Sequence, residues 1–201
     1  MSKNQLLKSE IRLSIRQQRK SYSKEKSLQA GQQLVKNLTE NGLLHKHKPI
    51  TCFLSFDGEI STQPTIQKIL SLNGTCYLPK IKPLKPNQLW FMPYDESSEM
   101  KFNQFGIPEV DLRANHAKRL SDLDMVLFPL VAFDLKGNRL GMGGGYYDAT
   151  FAHLRSSAKR PKFIGLAWQS QMVDELPSDP WDLTLDGVCT EQRFYSFNSR
   201  L

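Results

Sequence analysis

The decapeptide RLGMGGGYYD, positions 139–148, concentrates more chemistry-bearing residues than any other stretch of this 201-residue chain. Four glycines fill five consecutive positions, 141–145, with Arg139 ahead of them and Tyr146, Tyr147 and Asp148 behind. Glycine lacks Cβ, so such a run lets backbone approach a ligand closely or adopt φ > 0. Successive free N–H groups leading into a helix form a cradle for an anion. An arginine beside it adds a two-pronged cation suited to phosphate. A nearby aspartate suits Mg²⁺, which takes one or two carboxylates together with phosphate oxygens. The stretch is neither a Walker loop nor a dinucleotide fingerprint. Residue chemistry alone therefore yields a phosphate-binding loop, with a nucleotide as the leading ligand. The plainer reading is a glycine-rich turn with two packed tyrosines and an aspartate favouring a helix start.

The elements on either side fix where this loop must lie. DMVLFPLVAFD, residues 124–134, is the strongest strand signal and is apolar on both faces, as a central strand is. A helical pattern at 146–155 follows the glycines. Strand-to-helix loops are where α/β sheets place ligands. Upstream, Leu7, Ile11 and Ile15 form one stripe of a helix over 4–20, and Lys8, Arg12, Arg16 and Arg19 form a basic stripe beside it. Ser23 caps a second helix that Gly42 ends. ITCFLSF (50–56), TCYLP (75–79), QLWFMP (88–93), KFIGLAW (162–168) and DGVCT (186–190) read as strands. STQPTIQKILSL reads as a helix capped by Ser61 or Thr62, with Pro64 in its first turn. The prolines at 79, 83, 86, 93 and 108 mark loops. Strands alternating with helices predict one α/β domain: a layered, Rossmann-like sheet of mostly parallel strands flanked by helices, with residues 1–45 as an N-terminal helical segment.

Charge is unevenly placed. Residues 1–50 hold 11 Lys/Arg against 3 Asp/Glu, whereas the remaining residues are close to neutral. A basic first quarter points to an anionic partner: nucleic acid, phosphates or a polycarboxylate. The three cysteines, 52, 76 and 189, are widely spaced and lack a CxxC, which argues against a zinc site or disulfide framework. No run of 18 apolar residues and no signal-peptide core is present, so a cytoplasmic location is expected.

RLGMGGGYYD after a strand ending in AFD closely resembles the signature of the 5-formyltetrahydrofolate cyclo-ligase family. Weaker marks follow in the expected order: Lys8-x-x-x-Arg12, LSFDGEI (54–60), FGIPEV (105–110) and Asp-Gly-Val (186–188). The resemblance spans nearly the whole chain. It implies an ATP-dependent C–N ligase that closes 5-formyltetrahydrofolate to 5,10-methenyltetrahydrofolate and releases ADP and phosphate, through phosphorylation of the formyl oxygen. It implies that Lys8, Arg12 and residues Arg139, Leu140, Gly141, Met142, Gly143, Gly144, Gly145, Tyr146 and Tyr147 bind ATP. It implies that Leu54, Glu59 and Met142 to Tyr146 meet the folate, with Glu59 bonding the pteridine. Arg139 and Tyr147 are the catalytic candidates, and Asp148 and Asp186 are the candidate Mg²⁺ ligands. Small-molecule substrates, no nucleic acid, no membrane and a monomer are the matching expectations. Competing readings are a basic nucleic-acid-binding module, a phosphate-handling enzyme resembling a sugar-phosphate isomerase, and a folate binder without catalysis. Lys80 and Trp168, each at the end of a strand, are further candidates to touch ligand.

Overall fold

Alternation along the central strands explains the layers. In the computed structural model, which describes residues 3–197 apart from 86, 156 and 158, strand β6 (Met125–Pro129) turns Met125 and Leu127 to one core and Val126 and Phe128 to another. Strand β9 (Lys162–Leu166) does the same with Ile164 and Leu166 against Phe163. A strand buried on both faces needs helices or loops above and below it. On one side lie α2 (Lys24–Glu40) and α3 (Gln63–Ser71), contributing Leu34, Leu38, Ile66 and Ile69. On the other lie Phe151 of the short helix α4 (Tyr146–Phe151) and the segment carrying Leu183 and Leu185.

The sheet has seven strands in the order β11-β10-β9-β6-β1-β2-β3. The other members are β1 (Pro49–Thr51), β2 (Thr75–Ile81), β3 (Leu89–Tyr94), β10 (Gly187–Cys189) and β11 (Phe194–Ser196). The five inner strands run parallel, and each outer strand closes its edge antiparallel. Two small antiparallel ribbons are appended: β4 (Met100–Phe102) with β5 (Pro108–Val110), and β7 (Ala132–Phe133) with β8 (Arg139–Leu140).

The expected α/β architecture is present, with local differences. The strand expected over 50–56 ends at Thr51, and the one expected over 124–134 breaks at Pro129 so that its end can pair with β8. Thr62 does not cap α3: its hydroxyl turns inward and donates to the Phe53 carbonyl. Pro79, Pro93 and Pro108 stand within strands rather than loops. Pro93 lies on the edge strand β3, and Pro79 lies past the last β1 residue paired to β2, so neither leaves a ladder bond unmade. Pro86 falls outside the described residues. Ser23 does cap α2, accepting from the Lys26 N–H. The three cysteines are free and buried, Cys52 and Cys76 in the α2/α3 core and Cys189 on β10. Among the described residues no helix is long and apolar enough to cross a membrane.

Candidate active site

From β1 the chain runs outward through β2 to β3. It then returns to β6 and travels the other way through β9, β10 and β11. Ligands of open α/β sheets bind at such a switch point, beyond the carboxyl ends of the parallel strands. Residues 52–62 follow β1 and carry Leu54 and Glu59; residues 130–145 follow β6 and carry the glycines.

The glycine loop leaves a hairpin that is braced from within. Asp134 is fully buried, and its carboxylate accepts from the N–H groups of Lys136, Asn138 and Leu176 and from Asn138 Nδ2. This closes the β7–β8 turn, where Gly137 has φ +85°. Beyond it, residues 141–145 are exposed, with Gly143 at φ +102° and Gly145 at φ +65°. The backbone N–H groups of residues 141–148 find no acceptor among the described residues. The exposed backbone and left-handed turns that four glycines predict are thus present, and they leave a row of donors unspent.

Helix α1 (Lys3–Arg19) lies across this loop and ties it to its neighbours through the basic stripe. Arg12 Nε donates to the Gly141 carbonyl at 2.8 Å, and its Cζ lies 3.6 Å from where a Cβ on Gly143 would stand. The Arg12 terminal nitrogens make no hydrogen bond among the described residues. Lys8 Nζ donates to Asp179 at 2.6 Å and Asp182 at 3.2 Å. Burial opposes the charged form of Lys8, but these two carboxylates outweigh it and raise the ammonium pKa. Arg16 reaches Asp57 at 2.6 Å, and Arg19 meets the same loop. Of the expected apolar stripe, Ile15 is buried and Ile11 packs on Leu140 and Leu176, while Leu7 is exposed.

Several expected site residues have geometry that changes their role. Arg139 does not project into solvent: its side chain is 5% exposed, stacks over Phe128, and donates to the Leu183 carbonyl at 2.6 Å and to Asp148 Oδ1 at 2.9 Å. Asp148 Oδ1 also accepts the Leu183 N–H, whereas its Oδ2 makes no hydrogen bond among the described residues. Leu140 is buried and offers backbone only, while Met142 is exposed. Tyr146 meets Phe105 edge-on and, with Lys82, Lys85, Asn87 and Gln104, lines a cleft of about 590 Å³. The Tyr147 ring packs on Phe91 and Phe128, and its hydroxyl is buried without a hydrogen-bond partner among the described residues. Burial, reinforced by Cys52 and Glu59, raises its pKa, so the phenol is a neutral donor and not a base.

Asp186 does not fit the metal role expected for it. It is fully buried, its two oxygens are held by Arg160 at 2.7 Å each, and Oδ2 also accepts the Phe163 N–H. Asp182 is a second open carboxylate in this region: it precedes Leu183, whose N–H binds Asp148, and its Oδ1 makes no hydrogen bond among the described residues. Asp182 is not legible in the sequence, where SDPWD reads as an acidic turn, because its tie to Lys8 spans 174 positions. Lys80 donates to the Val110 and Leu112 carbonyls and braces β5. Trp168 is buried, and its indole N–H donates to the Gly58 carbonyl at 3.0 Å.

Glu59 sits in a tight turn. Its Oε2 accepts the Phe56 N–H at 3.0 Å, and its side chain is 12% exposed. Burial pushes its pKa up to about 7, against the charge of Arg19, whose guanidinium lies 3.8 Å from Oε1. Leu54 packs on the α2/α3 core at the start of the same loop.

Together these features define an α/β protein in which an amide-lined, cation-capped loop and a carboxylate-bearing loop share one switch point. The family profile described as "5-formyltetrahydrofolate cyclo-ligase family" matches residues 4–191. The chain therefore belongs to the 5-formyltetrahydrofolate cyclo-ligase family. It is 41% identical over 183 residues to the 5-formyltetrahydrofolate cyclo-ligase of Haemophilus influenzae, covering 91% of this chain and 95% of that one. It is 36% identical to the Escherichia coli K12 enzyme of the same name, covering 91% and 100%. The NMR structure of Aquifex aeolicus 5,10-methenyltetrahydrofolate synthetase superposes with TM-score 0.78 at 28% identity, covering 97% of this chain and 95% of that one.

Proposed function

We propose that this chain closes 5-formyltetrahydrofolate to 5,10-methenyltetrahydrofolate with ATP as phosphoryl donor. The observation that carries the reading is the row of unpaired N–H groups over residues 141–148, reached by Arg12, one helical turn from Lys8, at the switch point that also holds Glu59. The amides and the Arg12 terminal nitrogens take the triphosphate oxygens. Lys8 has three donors, of which two are used by aspartates, and turns the third to phosphate. The pteridine donates to Glu59 Oε1, which has no hydrogen bond of its own among the described residues. The 590 Å³ cleft beside Tyr146 takes the far end of the folate, and Lys82 and Lys85, not Lys80, stand opposite its carboxylates.

A formyl oxygen is a poor leaving group, so the protein must align the γ-phosphoryl with it and spread the developing charge. No nucleophilic residue is required. Lys8, Arg12 and the glycine amides neutralise the transferring group, and the neutral Tyr147 hydroxyl donates toward the reacting centre. The γ-phosphoryl passes to the formyl oxygen as ADP departs; the folate's neighbouring amine then attacks the formyl carbon and gives up its proton, and phosphate departs with the former formyl oxygen. Asp148 and Asp182 each keep a carboxylate oxygen without a hydrogen bond among the described residues, which fits Mg²⁺ held jointly by carboxylates and phosphates. The ion would supply charge neutralisation at the phosphates. Arg139 acts one step back by holding Asp148.

The decisive assay mixes pure protein with 5-formyltetrahydrofolate and Mg-ATP and follows the methenyl chromophore. Chromophore with ATP and none without it is the expected result. Its absence under both conditions refutes the reading.

A further inference from the structure

Phosphate binding draws on Lys8 and Arg12 but not on Arg19, which ends the basic stripe of α1 and is fully buried. An arginine is not taken out of water unless its charge is matched. Its Nη2 donates to the Asp57 carbonyl at 2.9 Å and to Asp57 Oδ2 at 3.2 Å, and its Nη1 donates to the Leu130 carbonyl at 3.3 Å. Nη1 also lies 3.8 Å from Glu59 Oε1. That separation is too long for a hydrogen bond but short for two charges. Arg19 therefore favours the ionised carboxylate without occupying its outer oxygen.

The backbone follows the same plan. Asp57 and Gly58 are consecutive left-handed residues, at φ +51° and +75°. A Cβ on Gly58 would stand 2.9 Å from the Arg19 carbonyl carbon and oxygen, so the turn rests directly on the helix end. The Gly58 carbonyl accepts from Trp168, and the Trp168 N–H donates to Gln171 Oε1. Gln171 Nε2 returns to the Leu130 carbonyl, the one Arg19 uses. The loops after β1, β6 and β9 are thus joined in one closed circuit through a single guanidinium.

Resting on the reading of Glu59 as the folate's acceptor, we infer that Arg19 is the positioning residue that presents this carboxylate, charged and correctly turned, to the substrate. The charged and titratable groups around Glu59 are Arg19 from α1, Asp57 from its own turn and the Tyr147 hydroxyl from α4; Ser27 of α2 holds its carbonyl. Only Arg19 among them carries positive charge.

The test is steady-state kinetics of the full chain from pH 5.5 to 9, with 5-formyltetrahydrofolate and ATP varied separately. Arg19→Gln, which removes the charge, is expected to raise the folate KM about tenfold at pH 7 and to move the acid limb of kcat/KM for folate upward by about one unit. The ATP KM should stay within about twofold. Trp168→Phe loosens Gly58 but keeps the charge, so it should raise the folate KM without moving the acid limb. This second arm decides the matter even if Arg19→Gln does not fold. In a Glu59→Gln background, Arg19→Lys should add less than about twofold, because the group it serves is gone. Equal rises in both KM values, an unmoved acid limb in Arg19→Gln, or an unchanged folate KM in Trp168→Phe overturns the inference. A folate KM unchanged in Glu59→Gln itself overturns the reading beneath it as well.

Discussion

Replacing Arg139 by alanine separates two roles that this residue could have. A phosphate ligand in an open loop would cost activity alone. In this structure the guanidinium instead lies under the loop and supplies the Leu183 carbonyl and Asp148. Alanine leaves that carbonyl without its donor and Asp148 without its cation. Hydrogen bonds to charged groups are worth about 1.5–3 kcal/mol each, and removing one partner of a buried ion pair costs about 3–5 kcal/mol. Asp148 keeps 29% of its side-chain exposure, which screens the loss toward the lower end. The expected destabilisation is about 3 kcal/mol, a fall in Tm of about 6–12 °C for a chain of this length. Arg139→Lys keeps the charge but reaches one partner, so about half of that loss is expected. Urea unfolding followed by the fluorescence of Trp90, Trp168 and Trp181 measures the first quantity. Single-turnover rates at 15 °C, where the variant stays folded, measure the second. A Tm within 2 °C of the parent, with the rate lost, would refute the bracing role and return Arg139 to the phosphates.

Other consequences are as specific. Gly58→Ala should cost about 1–3 kcal/mol for its left-handed backbone plus the overlap with Arg19, whereas Gly42→Ala, also left-handed but facing open space, should cost only the former; urea midpoints of the two compare them. Glu59, with its folded pKa raised to about 7, keeps its proton where the unfolded chain has lost it, so its contribution falls as pH rises from about 4.5 to about 7 and then levels. The size is on the order of 3 kcal/mol, and Glu59→Gln should flatten that part of the stability–pH curve. Asp57 works in the opposite sense: burial opposes its charge but Arg16, Arg19 and Lys20 hold its pKa down, so its contribution is lost as pH falls through the folded value, and Asp57→Asn should remove that acid limb. Asp148→Asn and Asp182→Asn should each raise the magnesium concentration for half-maximal rate. Asp186→Asn should leave that titration in place and lower Tm, since it strips Arg160 of its partner.

Much of this site can be read in the chain before folding, and the exceptions share a cause. The glycine run, the stripe of Lys8 and Arg12, and the strand ahead of the loop are local patterns, set by spacing over a few residues. Asp182 and Asp186 illustrate the opposite. Each is an aspartate in the few residues before β10, and only long-range partners, Lys8 for one and Arg160 for the other, tell which is open and which is sealed. Arg139 is legible as functional but not as buried, because its cover comes from Leu183, 44 positions away. The strand breaks at Thr51 and Pro129 escape detection for the same reason: apolar residues continue through both, and it is the site loops that claim them.

The three sheltered thiols give this molecule a built-in clock. Burial raises the pKa of each, Cys52 to about 12, so a maleimide or disulfide reagent meets neither access nor thiolate while the fold is shut. Labelling must then wait for breathing of the sheet. Cys52 opens the loop that carries Glu59 and Cys189 lies on β10, so their separate labelling rates time how each half opens, and how far substrate holds one of them closed.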